Sequence, residues 1–223
     1  MNPRRRDRGI AAKIVRGTGT TFILLGLVIL YFVVYELVGT SLQTHAHQRA
    51  LRSQFAELLD QPPSKSASGF VSNPGPASKK ATVSGIAEII IPKIGIDDIV
   101  VQGVSLYDLA YGPGHYPDSA PIGSANGTAA IAGHRTGWGS PFIRLDELAT
   151  GDTITLKTAQ ATYTYRVTRG NVVVEPTDYW VVKGDPQSQA KGKLTLTTCT
   201  PKYTSRHRLI VWADLVSVAP RVA

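Results

Sequence analysis

The chain has one cysteine, Cys199, in the stretch LTLTTCTP at 194–201. A thiol does nucleophilic chemistry when a base or cation favours its thiolate and donors receive the oxyanion formed on acyl transfer. Leu194 and Leu196 alternate with Thr195 and Thr197, so Cys199 falls near the end of a strand, and Pro201 ends regular pairing just beyond it. Strand ends hold reactive groups rigidly yet within reach. Beyond residue 85 the histidines are His115 in YGPGHYPDS, His134 in AAIAGHRTG and His207 in SRHRL. His134 follows an apolar run and Gly133, so it also sits where a strand meets a loop, which makes it the strongest candidate base. Of the cations after the cysteine, Arg208 directly precedes LIVW and should open the next strand. If the two strands are neighbours, its guanidinium lies beside the thiol and offers a permanently charged fork of donors. The bland alternatives are a cysteine packed as a small hydrophobe and arginines that are solvated loop charges.

The elements that must position these groups are strands. From residue 86 on, AEIIIPKIG, DDIVVQG, GTAAIAGH, GDTITLKT, ATYTYRVTRGNVVVEP, KLTLTTC and HRLIVWADLVSV are short runs with two-residue alternation, separated by Gly, Pro and Asp turns. LKTAQATYTY predicts a hairpin turning at 158–161, and two short helical stretches are expected near 105–110 and 141–148. Seven to eight strands in one segment of this length predict an all-β domain, a closed barrel or a sandwich, large enough for its own core.

Upstream the composition changes. Residues 1–19 carry six basic residues against Asp7, and an uncharged run from Phe22 to Tyr35 follows. The run from Phe22 to Val38 just meets the length needed to cross a hydrocarbon core. Bulky Tyr31, Phe32 and Tyr35 and the lack of a small-x-small site favour an uncleaved anchor over a signal peptide. The basic flank predicts a cytoplasmic N-terminus and an extracellular remainder. The expected organisation is a basic tail (1–19), a single transmembrane helix (20–39), a juxtamembrane amphipathic helix (40–61), a flexible Pro/Ser/Gly-rich linker supplying reach (62–85) and a β-domain (86–223). His45 and His47 lack a third metal ligand nearby, so a solvated face is expected there. The net charge of +8 is mostly topogenic, since residues 86–223 hold 13 basic and 12 acidic side chains. No basic stripe with interleaved aromatics appears, so no nucleic-acid partner is expected.

Taken together, Thr195 to Cys199 with Arg208 beyond it and AIAGHR upstream resemble the sortase family, whose motif is TLxTC with a following arginine and a histidine after a short apolar strand. YGPGHYP, NGTAAIAGHRT and TTCTP look like the class E sortases of high-GC Gram-positive bacteria. The resemblance covers about residues 86–218. It implies a sortase-type barrel and a cysteine transpeptidase cutting a C-terminal LAxTG/LPxTG-like sorting motif between Thr and Gly. Cys199 would be the nucleophile, His134 the general acid and base, and Arg208 the oxyanion or positioning group. A substrate-recognition tyrosine would be Tyr111 or Tyr116, with Thr198 and His115 further candidates to contact substrate. The implied partners are secreted proteins with a sorting signal, a peptidoglycan-precursor amine and, through the N-terminal helix, the bilayer. No cofactor and no metal are expected. No aspartate-proline-aromatic lid precedes the domain and the chain ends at APRVA, which favours surface-protein anchoring over the alternative, pilin polymerisation.

Two other classes compete. An envelope L,D-transpeptidase would set the cysteine in a glycine context with a histidine close by, unlike the threonines around Cys199. A tethered, non-enzymatic wall-binding β-domain would leave Cys199 unreactive.

Overall fold

The computed structural model describes residues 4–35, 39–60 and 83–221, with side chains from Arg16 on. Most of the expected linker and the end of the expected membrane span, residues 36–38, lie outside the described residues. The chain forms two compact units, Met1–Thr40 and Ser41–Ala223.

In the first unit, helix α1 spans Arg4–Val34, so the basic residues from Arg4 on continue into the apolar run as one helix. Its stretch Arg16–Val34 is 19 residues long with mean hydropathy 2.1 and no burial against the protein. At about 1.5 Å per residue this covers about 28 Å, close to a hydrocarbon core of about 30 Å. The hydroxyls of Thr20 and Thr21 donate to the carbonyls of Arg16 and Gly17, which satisfies these polar groups within the helix. Among the described residues it is the one helix long and apolar enough to span a membrane, by length and composition.

In the second unit the expected strands form and close on themselves. They are β1 (Gly85–Ile91), β2 (Ile96–Gln102), β3 (Gly114–His115), β4 (Gly127–Ala132), β5 (Thr153–Lys157), β6 (Ala161–Val174), β7 (Gly192–Thr200) and β8 (His207–Pro220). They make a closed barrel in the order β1-β2-β3-β4-β7-β8-β6-β5. The β5–β6 turn falls where the hairpin is predicted, with Thr158 N donating to the Ala161 carbonyl. Alternate residues fill the interior, among them Ile89, Ile91, Ile131, Leu156, Tyr165, Leu194, Leu196 and Val211. Closure removes the exposed edges that a sheet of this size would otherwise present.

The predicted helix near 105–110 is α3 (Leu106–Leu109), started by a reciprocal cap between Ser105 and Asp108. The one near 141–148 is turns and a 3-10 helix, Leu145–Glu147, because Phe142, Leu145 and Leu148 must all turn into the barrel core. Two features carry too little periodicity to be read in advance. The first is β3, only two residues long. The second is a 3-10 helix at Tyr179–Lys183 on the outside of β7 and β8. There Val181 packs on Ile210 and Trp212, and Trp212 Nε1 donates to the Val181 carbonyl at 2.9 Å. This outer layer explains why β8 is buried on both faces from Leu209 to Ala213.

Helix α2 spans Thr40–Asp60 and docks on the barrel. Leu51 and Phe55 pack with Ile99 and Val101, joined by Leu59, Val83 and Tyr111. Gln48 clamps the same seam. Its amide nitrogen donates to the carbonyls of Ile99 (2.9 Å) and Tyr111 (2.7 Å), and its oxygen accepts from Ile99 N. The clamp needs glycine at position 112, where a Cβ would collide with Gln48 Nε2. Arg52 bridges Glu88 and Asp97 at the rim. Leu58, one residue before the half-buried Leu59, is exposed. Asp60, before the expected linker, and Val83, near its end, thus belong to the same compact unit.

Candidate active site

The site is built from three neighbouring strands. The parallel β4–β7 ladder pairs Ala130 with Thr195 and Ala132 with Thr197. Past the end of β4 the tie continues: Gly133 N donates to the Thr197 carbonyl at 3.1 Å, and the Thr198 hydroxyl donates to the Gly133 carbonyl at 2.7 Å. Extending the ladder by two residues sets His134 level with Cys199. On the other side, Cys199 and Arg208 are direct partners in the antiparallel β7–β8 pair. Ala129, Ile131, Leu194, Leu196, Leu209 and Val211 all face the core. The alternate positions, to which Cys199 and Arg208 belong and which His134 continues, face outward. Direct cross-strand partners on one face hold their Cβ atoms about 4.5–5.5 Å apart. The fold therefore brings His134, Cys199 and Arg208 into one row on the outer face.

Each member has a distinct setting. Cys199 is half-buried and free. His134 Nε2 is buried with no hydrogen-bond partner. Loss of solvent lowers the His134 pKa below its ordinary value, so the imidazole is neutral near neutral pH. The Arg208 guanidinium is held at the start of β8, donating to the carbonyls of Ser205 (3.0 Å) in the preceding loop and His207 (3.2 Å). Gly133 leaves room for the Phe142 ring, which a Cβ there would meet at 2.6 Å. Phe142 N in turn donates to the His134 carbonyl at 3.0 Å, so the histidine loop is packed from behind.

The other sequence candidates divide. The Tyr116 hydroxyl is 3.0 Å from Thr197 Oγ1, on the outward side of β7 two residues before the cysteine, so this tyrosine joins the row. Tyr111 goes elsewhere. It stacks on His47 with centroids 4.0 Å apart, beneath α2, and bonds the Tyr107 hydroxyl at 3.1 Å. His47 is thus engaged, while His45 is exposed. His115 is buried with both ring nitrogens occupied, by Gln102 Oε1 (3.2 Å) and by the Ala120 carbonyl (2.9 Å), and burial lowers its pKa. Thr198 is buried on the core side of β7. His207 Nδ1 lies 3.1 Å from Glu175. A separate cleft of about 480 Å³ runs along the α2 seam and includes His45, Arg49, Arg52, Asp97 and Asp98, with none of the row among its walls.

One residue of the site escaped the sequence analysis. Arg135, 5% exposed, reaches from the histidine loop to the cysteine strand. Its Nη1 donates to Thr200 Oγ1 at 2.9 Å and to the Cys199 carbonyl at 3.4 Å, and its Nη2 pairs with Asp146 at 3.0 Å. An arginine in a Gly-rich turn reads as solvated, and only the fold reveals its partners.

A row of thiol, imidazole and guanidinium at one end of three strands is suited to acyl transfer through a thioester. The Sortase domain family model matches residues 89–216. Sortase SrtE2 of Streptomyces coelicolor is 35% identical over 96% of this chain and 86% of its own length. The crystal structure of Sortase E1 from the same organism, with a tripeptide in the active site, superposes with TM-score 0.58 at 34% identity, over 61% of this chain and 91% of that one. A Clostridium perfringens Sortase D5 transpeptidase reaches TM-score 0.63 at 26% identity, over 77% and 99%. With its closed eight-stranded barrel, the chain belongs to the sortase family of cysteine transpeptidases, and the curated relatives it matches include two class E sortases.

Proposed function

We propose that the chain is a membrane-tethered class E sortase that joins secreted proteins to the cell wall, cutting an LAxTG/LPxTG-like motif between Thr and Gly. The observation that carries this reading is the single outward row of His134, Cys199 and Arg208 across β4, β7 and β8. His134 takes the thiol proton, and the Cys199 thiolate attacks the threonine carbonyl. The Arg208 guanidinium stabilises the oxyanion or fixes the peptide. His134 then gives its proton to the departing glycine amine, leaving a thioester on Cys199 and a neutral imidazole. An amine of a peptidoglycan precursor attacks the thioester, His134 accepts its proton, and the thiolate leaves and is reprotonated. A thioester retains enough free energy for an amine to compete with water. Burial of His134 favours its neutral form near pH 7, so it enters the cycle able to accept a proton.

Tyr116 is the better choice for the substrate-recognition tyrosine, because its hydroxyl meets Thr197 beside the row while Tyr111 packs under α2. The apolar stretch Arg16–Val34 supports a single-pass anchor, and the basic residues before it support a cytoplasmic N-terminus with the barrel outside. The test uses the full chain in detergent with fluorescent LAxTG and LPxTG peptides and an added amine, following products by mass. The expected result is amine-capped product whose rate falls at least about a thousandfold in Cys199→Ala. No cleavage of either peptide, with Cys199 inert to alkylation, would leave the tethered binding domain as the surviving reading.

A further inference from the structure

Beyond Ala132 the last backbone bond between the histidine and cysteine strands is the one from Gly133 N to the Thr197 carbonyl, yet His134 and Cys199 must stay in register for their side chains to meet. Two side chains continue the ladder. The Thr198 hydroxyl holds the Gly133 carbonyl, and Arg135, the residue after His134, holds the Cys199 carbonyl and the Thr200 hydroxyl. Arg135 is itself aimed from the far side by Asp146 on the Leu145–Glu147 turn, and Lys202 of the β7–β8 loop lies 3.7 Å from the same carboxylate oxygen. Stability alone gives a weak reason for this arrangement. Burying a guanidinium carries a desolvation penalty that the attraction of its partner offsets only when every polar atom is satisfied. Here Arg135 Nε and Asp146 Oδ1 are buried without partners.

We infer that Arg135 is a positioning residue for the transpeptidation reaction: through the Cys199 carbonyl and Thr200 it locks the nucleophile strand to the loop that carries His134. The inference rests on the sortase reading above. It assigns Arg135 no contact with substrate. The guanidinium fork is essential because one planar group must serve two acceptors on the cysteine strand and one carboxylate behind it. A lysine keeps the charge beside Asp146 but cannot reproduce that fan of donors.

The experiment compares wild type, Arg135→Lys, Arg135→Met and Asp146→Asn, as full chains in detergent, for peptide transfer to an amine and for thermal unfolding. All assays run well below the lowest Tm of the set. A displacement of about 1 Å between reacting groups costs on the order of a hundredfold in rate. The expected result is a kcat lowered about ten- to hundredfold in Arg135→Lys and further in Arg135→Met, with a smaller fall in the same direction for Asp146→Asn. The KM for peptide should stay within about threefold. Equal kcat in wild type and Arg135→Lys overturns the inference. So does a KM rise with kcat unchanged, which would make Arg135 a substrate contact. If Arg135→Met fails to fold, the Lys and Asn variants decide. An inactive wild type would instead defeat the sortase reading, which keeps the two failures distinct.

Discussion

Thr198 lies between two outward-facing residues, Thr197 and Cys199, yet turns the other way and gives its hydroxyl to the Gly133 carbonyl. Replacing it by valine keeps the shape and removes the donor, leaving a buried carbonyl unsatisfied at a cost of about 1–3 kcal/mol. Thr198→Val is expected to lower stability by that amount in a denaturant titration and to reduce kcat. A raised KM with unchanged stability would instead make Thr198 a substrate contact. The three principal residues were legible because each carries a distinctive functional group at a strand end marked by alternation or by glycine. Tyr111 and Tyr116 were not separable, since both lie in one Gly- and Pro-rich stretch whose path the sequence leaves open. The path is set by pairing: Tyr116 N donates to the Ala130 carbonyl alongside β4, whereas Tyr111 ends the α3 turn under α2.

At the scale of elements, the long strands were readable from alternation and the outer 3-10 helix was not, because Tyr179–Lys183 has neither period nor cap. Helix α2 shows the same limit. Its apolar spacing announced an amphipathic helix, but half of its docking face is polar, with Thr44 donating to the Ala110 carbonyl at 3.0 Å and Gln48 clamping Ile99 and Tyr111. Polar docking groups look like solvent-facing ones until their partners are known. Phe55 is 4% exposed within this seam. Phe55→Ala should destabilise the second unit by about 3 kcal/mol through lost burial and the cavity left behind. A denaturant midpoint unchanged within error would mean that α2 does not hold to the barrel in solution.

At the scale of the whole molecule, pH acts through the buried histidines. Burial lowers the pKa of both His134 and His115. The unfolded chain, with histidines near 6.5, therefore binds more protons than the folded one below that pH. Stability from these groups is fully present above about 6.5 and is lost as pH falls through the lowered folded values. The Tm should drop on acidification from pH 7.5 to 5, and His115→Gln should flatten that drop; equal slopes in the two proteins would assign the acid sensitivity to other groups. The docking of α2 also changes what the segment between Asp60 and Val83 can do. Val83 packs against the cluster of Leu51 and Phe55, so the segment leaves and re-enters one body. A cut in that segment would leave α2 held to the barrel by its packed seam alone.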